Sequence, residues 1–328
     1  MLFLNAAEVR RALPMAACIA GMKQAYAALS AGKAEVPLRL RLPVTPNDGM
    51  SIFMPAFVDD ETGQALAVKI VSLFNRNPSR GLPLIQAVVL VLNPETGAVE
   101  ALLEGSTLTA IRTGAGSGAA TDLLAREDAR TVAIFGAGVQ ARTQLEAVCE
   151  VREIQTAWVY DSNAAKLAQF VSDLAGHGRI PKDLRVAKSP AEAAQEADII
   201  CTATTSRTPV FADHELKPGV HINAVGSYTL DMQELPAETV ARARLAVDSR
   251  SAAPVESADL ALPLQNKLIK PGDIIELGEV LLGRAKGRNS PEQLTLFKSV
   301  GVAVQDAMAG RLAVENARNL GLGTGLSW

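Results

Sequence analysis

The segment Phe135-Gly136-Ala137-Gly138-Val139-Gln140-Ala141 follows five strand-forming residues, TVAIF, and opens a helical stretch. Gly136 permits a tight turn, Gly138 lets backbone amides approach a pyrophosphate, and Ala141 allows helix to pack closely on strand. The positive end of the helix dipole then faces the anion. About twenty residues further on, a second strand-like run ends at Tyr160-Asp161, where an acid can accept hydrogen bonds from both hydroxyls of an adenosine ribose. This chemistry is dinucleotide binding. Asp161 would repel a 2′-phosphate and no arginine lies nearby to offset it, so NAD is favoured, with NADP still possible. Capping of a helix beginning at Ala164 is the plainer role for Asp161. Thr202, Ala203, Thr204 and Thr205 stand at the carboxyl end of another strand, where such sheets line the cofactor crevice, although hydroxyls there can instead satisfy local backbone groups.

Other chemistries are disfavoured. Cys18, Cys149 and Cys201 are widely spaced and form no CxxC pair, which argues against a disulfide framework or a thiolate zinc site. His177, His214 and His221 lack the spacing that puts two ligands on one helical face, so no metal site is expected. Acid–base work must rest on Lys, Asp, Glu, Tyr or water. Among the 328 residues, 32 Lys+Arg against 35 Asp+Glu give a formal charge of −3, too little excess cation to hold a nucleic acid. The longest aliphatic run, Ala87 to Leu92, is far short of the ~20 residues that cross a bilayer. The N-terminus reaches Glu8, Arg10 and Arg11 before an apolar signal stretch could form. A cytoplasmic protein is expected.

These chemical groups need elements to carry them. Val9, Leu13, Ala17, Ile19, Met22, Tyr26 and Leu29 recur at helical spacing before a stop at Gly32. From Met50 to about Leu103, short β-rich runs (SIFMPAFV, ALAVKIVSLF, LIQAVVLVL) and an NPETG turn into AVEALLEG predict antiparallel strands. The Ala- and Gly-rich stretch LTAIRTGAGSGAATDLLA suits close helix packing at a domain junction near Ser117. From Thr131 onward, TVAIF, TAWVY, LRVAK, DIICTAT, HINAVG and RLAVDS alternate with helical segments, which predicts a parallel sheet. Ser189-Pro190-Ala191-Glu192 reads as a capping box, and a long helix is expected from Pro291 through Ala309.

Several segments in order resemble the ornithine cyclodeaminase/mu-crystallin family: VPLR (36–39), MPAF (54–57), VKIV (68–71), GLPLIQ (81–86), LTAIRTGAGSGAAT (108–121), FGAGVQARTQLEAV (135–148), INAVGS (222–227) and KSVGVAVQD (298–306). The resemblance implies an α/β chain in which a Rossmann-type doubly wound parallel sheet domain, residues 117–305, is joined to an α+β substrate and dimerisation domain, residues 1–116 and 306–328. It also implies a homodimer. Arg39, Lys69 and Arg112 match the cations that hold a substrate carboxylate near the nicotinamide, and Arg112 is expected to reach the cofactor phosphates as well. Read from its alternation alone, Lys69 could equally be a charge on a solvated sheet face, and Arg39 and Arg112 could be ordinary surface arginines. Within the matched segments Thr113, Gly136, Gly138, Val139, Gln140, Val225, Gly226, Ser227 and Gly301 join Asp161, Thr202, Ala203 and Thr204 as expected cofactor contacts.

One departure is informative. Where cyclodeaminases of the family carry an aspartate two residues after INAVG, this chain has Tyr228. Tyrosine supplies no negative charge near neutral pH, and Asp231, three residues later, is not a ready substitute. This weakens ornithine cyclodeamination and favours NAD(P)H-dependent reduction of a cyclic 2-imino acid, Δ1-pyrroline-2-carboxylate or Δ1-piperideine-2-carboxylate, to L-proline or L-pipecolate. Lys69 is then the expected proton donor, since a lysine beside two arginines loses its proton more easily. The alternatives are an NAD-dependent L-amino-acid dehydrogenase acting on alanine or a basic amino acid, and a non-catalytic, crystallin-like binding protein.

Overall fold

A computed structural model describes residues 1–327. The chain forms two compact units, Met1–Arg112 with Val302–Trp328, and Thr113–Gly301. The sequence reading places these divisions at 116/117 and 305/306, a few residues later in each case.

In the first unit, Pro14 divides the N-terminal helical stretch into Ala6–Ala12 and Met15–Ser30, because proline is tolerated at a helix start and not within it. Gly32, at φ +73°, ends it. The strands Gly49–Asp60, Gly63–Phe74, Ile85–Leu92 and Val99–Glu104 pair antiparallel in chain order. A short strand not foreseen from the sequence, Leu2–Leu4, runs parallel beside the last of them. On the inner face Met54, Ala56 and Val58 stand opposite Lys69, Ala67 and Ala65, and all six are buried. The helix Ala303–Asn319 packs on this face and against Met15–Ser30. Small side chains, Ala65 and Ala67 on the strand, let it come close.

The second unit is built on an eight-stranded sheet whose neighbours, in order, are Leu184–Val186, Thr156–Tyr160, Thr131–Phe135, Ile199–Thr202, His221–Ala224, Thr295–Lys298, Arg244–Val247 and Ile274–Glu276. Every pairing is parallel. Two of these strands, Ile274–Glu276 and Thr295–Lys298, lie outside the six read from the sequence. The helix expected from Pro291 is corrected here: residues 295–298 form a fully buried strand between two parallel neighbours, and the helix starts only at Ala303 and runs to Asn319. A strand covered on both faces reads as a short apolar run, which periodicity does not separate from a buried helical turn. Gly301, at φ +78°, makes the break before the helix. The capping box at Ser189 is also modified. Ser189 Oγ accepts the Glu192 amide, but the Glu192 carboxylate reaches back to the amide of Lys188, one residue beyond the cap. All three cysteines are free and buried.

The strand order reverses between Thr131–Phe135 and Ile199–Thr202. At such a switch point the connections leave in opposite directions and a crevice opens beyond the carboxyl ends of the strands. Phe135-Gly136 and Thr202-Ala203 are the residues found there.

Candidate functional site

In the first unit, Lys69 is 2% exposed, so the solvated-face alternative does not hold. Its Nζ lies 2.8 Å from Asp306 Oδ2. The other oxygen, Oδ1, accepts a hydrogen bond from Arg112 Nε at 3.0 Å. Arg112 Nη1 donates to Gln305 Oε1, also at 3.0 Å, and Gln305 Nε2 donates to the hydroxyl of Tyr26. Arg112 is therefore held at two points, and at 4% exposure it is no surface arginine. Its expected reach to cofactor phosphates would have to be made from this tethered position. Arg39 stands half-buried just before the strand Leu40–Val44, near enough for its charge to act on Lys69.

Two buried cations thus meet one carboxylate, with Arg39 near enough to act on Lys69, which leaves a surplus of positive charge in a largely dry place, suited to an anion. Burial, then the charge of Arg112, push the Lys69 ammonium down to about 7, with Arg39 adding to the effect and Asp306 opposing it. A lysine so poised can give up or take a proton near neutral pH. Asp306 and Gln305 are the functional residues that sequence reasoning missed. Both lie in the segment KSVGVAVQD, but they sit at the start of a helix, where a polar pair ordinarily reads as a cap.

In the second unit the glycine turn adopts the geometry its sequence requires. Gly136 has φ +103°, and a Cβ there would sit 2.6 Å from the carbonyl oxygen of Ala203. Gly138 is the N-cap of the helix Val139–Val151 and offers no side-chain cap. A Cβ on Gly138 would meet nothing within 4 Å, so the helix amides face open space. Val139 is exposed and Ala141 buried. These features fit a dinucleotide pyrophosphate.

Asp161, half-buried at the end of the strand Thr156–Tyr160, accepts the Ala137 amide on Oδ2 and the Asn163 amide on Oδ1, each at 2.8 Å. The cap of the following helix is Asn163. Thr202 is fully buried, and its hydroxyl goes to Glu234, so it supports the crevice from beneath. Ala203 and Thr204 are half-buried, as are Val225, Gly226 and Thr113. Ser227 is enclosed, its hydroxyl against Ser257. The Gly301 amide is held by Asp248. Tyr228 is half-buried, and burial raises its phenol above the ordinary range. Asp231 is exposed and pairs with Arg207, so it does not take the place of the missing aspartate. His221 is buried between Thr295 and Asn223, and burial lowers it to about 3. It is a neutral structural residue.

A doubly wound parallel sheet with G-x-G-x-x-A at its switch point, carried with an α+β unit that buries a cationic cluster, defines a dinucleotide-binding α/β protein. The chain matches the ornithine cyclodeaminase/mu-crystallin family over residues 1–321 and belongs to it. It is 40% identical over 328 residues to a Delta(1)-pyrroline-2-carboxylate reductase of Bacillus cereus, covering 98% of each chain. Among solved structures it is similar to the Delta(1)-pyrroline-2-carboxylate reductase of Thermococcus litoralis in complex with NADH and L-proline. That likeness has a TM-score of 0.93 at 42% identity, covering 99% of this chain and 100% of the other. An archaeal alanine dehydrogenase dimer with bound NAD is similar at a TM-score of 0.91 and 30% identity, covering 100% and 99%.

Proposed function

We propose that this protein reduces a cyclic 2-imino acid, Δ1-pyrroline-2-carboxylate or its six-membered homologue, to L-proline or L-pipecolate with NADH. The observation that carries the reading is the buried cluster of Lys69, Arg112 and Asp306. It combines a surplus of positive charge for a carboxylate with a lysine that titrates near neutrality. The two Delta(1)-pyrroline-2-carboxylate reductases named above, one of them in complex with NADH and L-proline, support the same conclusion.

Arg39 and Arg112 neutralise the substrate carboxylate, and the tether from Gln305 and Asp306 keeps Arg112 from following solvent. The chemistry a dihydronicotinamide would supply when bound is hydride for C2 of the imine. Lys69 supplies the balancing proton to the imine nitrogen and is left as a neutral amine, a form its burial favours. The glycine turn and the open helix N-terminus of the second unit hold the pyrophosphate, and Asp161 favours NADH over NADPH by repelling a 2′-phosphate.

We also infer a homodimer. The outer face of the antiparallel sheet carries Phe53, Phe57, Leu66, Val68, Ile70 and Leu90, all half-exposed. A sheet face turned to water is ordinarily polar, so a second copy of the chain is the natural cover. Free buried thiols suit the reducing cytoplasm.

The deciding experiment offers purified protein the two cyclic imino acids, pyruvate with ammonium, and ornithine, each with NADH and NADPH, and compares kcat/KM. The cyclic imino acids with NADH should lead. Preferred turnover of pyruvate with ammonium would reassign the chain as an amino-acid dehydrogenase, and ammonia release from ornithine without net NADH use would make it a cyclodeaminase.

A further inference from the structure

A dense polar construction in the Thr113–Gly301 unit is built on one carboxylate that none of the roles above uses. Glu234 is fully buried. Its Oε1 accepts the amide and the hydroxyl of Thr204, at 2.7 and 2.8 Å. Its Oε2 accepts the Thr202 hydroxyl at 2.8 Å and the amides of Gly226 and Ser227 at 2.8 and 3.1 Å. Thr204 lies just beyond the strand Ile199–Thr202, and Gly226-Ser227 just beyond His221–Ala224. The two oxygens thus join two neighbouring strand-end loops.

The loops leave no slack. A Cβ on Gly226 would overlap the Thr204 carbonyl and Glu234 Oε1, and a Cβ on Gly136 would lie 2.6 Å from the Ala203 carbonyl. Ala203-Thr204 is therefore wedged between the glycine turn and Gly226. Glu234 is itself fixed, since Asp259 Oδ1 accepts the amides of Glu234 and Leu235. Asp259 Oδ2 pairs with the buried Lys298, whose Nζ also donates to the Ser227 carbonyl.

We propose that Glu234 is a positioning residue for the dinucleotide: it sets the spacing of the loops after the two strands against the glycine turn. This rests on the reading that the unit binds NADH. Every group facing Glu234 in these five bonds is a donor, so the residue must accept on both oxygens. Glutamine cannot do so. Whichever way its amide turns, an NH2 confronts either the Thr204 amide or those of Gly226 and Ser227, and one loop must move.

The test measures NADH binding by fluorescence titration, with steady-state kinetics, for wild type, Glu234→Gln and Thr202→Val. Wild-type binding comes first, because a wild-type protein that does not bind NADH overturns the reading of the unit and not merely the role of Glu234. Glu234→Gln should weaken NADH binding about tenfold or more and raise KM for NADH, with KM for the imino acid changed less than about twofold. Thr202→Val removes one buried donor and should weaken NADH about threefold. NADH affinity equal to wild type in Glu234→Gln, even with a lowered Tm, overturns the proposal. If Glu234→Gln does not fold, Thr202→Val decides, and unchanged affinity there overturns it.

Discussion

Replacing Asp306 by asparagine removes one negative charge from beside Lys69 and sets an amide NH2 where Oδ2 now accepts its ammonium, both of which disfavour the charged lysine. The asparagine oxygen can still accept from Arg112 Nε, which now bonds Oδ1 at 3.0 Å. The lost attraction acts across the 2.8 Å between Nζ and Oδ2. At an effective dielectric of about 20 it amounts to roughly 6 kcal/mol, or about four pK units, before relaxation. Reorientation and entering water will recover part of this, and a fall of about two units is a conservative figure. Lys69 begins at about 7. As a base whose charged form is the proton donor, it loses activity as pH rises through its own value. In the variant the midpoint should therefore move to about 5, leaving about one lysine in a hundred protonated at pH 7 against about half in the wild type. Imine reduction followed by NADH absorbance should be about fiftyfold slower at pH 7, and the gap should close to about twofold near pH 5. A rate loss uniform across pH, or a midpoint that stays put or rises, would refute both the role of Asp306 and that of Lys69 as acid.

Three further outcomes are expected. Lys69→Ala should nearly abolish imine reduction while leaving NADH binding within about threefold, and near-normal turnover would remove the proton-donor assignment. Asp161→Asn keeps an acceptor for the Ala137 amide now bonded at 2.8 Å but loses the charge and the acceptor of the Asn163 amide, so the kcat/KM preference for NADH over NADPH should fall by about tenfold. An unchanged ratio would show that cofactor choice is made elsewhere. Gly114→Ala would put a Cβ 2.7 Å from the carbonyl carbon of Thr143, and overpacking of this kind should cost about 1–3 kcal/mol in urea unfolding; wild-type stability would show that the helices Gly105–Leu124 and Val139–Val151 can part there.

Residue order alone determined a good deal. The glycine turn, the rhythm of strands after Thr131 and the antiparallel runs before Leu103 depend on contacts close in sequence, or on periodicities of two and 3.6 that any window of the chain displays. The acid after the second strand is likewise legible, because about twenty residues of strand and helix fix its place. Tertiary structure decided the rest. The strand Thr295–Lys298 becomes a strand only because two parallel neighbours already flank it, and nothing in TLFK itself distinguishes it from helix. Whether Lys69 faces water or a buried carboxylate depends on Asp306, 237 positions later, arriving on a helix over the inner sheet face. The same holds for Glu234, whose value lies in donors from the ends of two separate strands. Charge pairing and hydrogen bonding across such separations leave no periodic trace, since they are set by where the chain returns and not by what stands beside each residue along it.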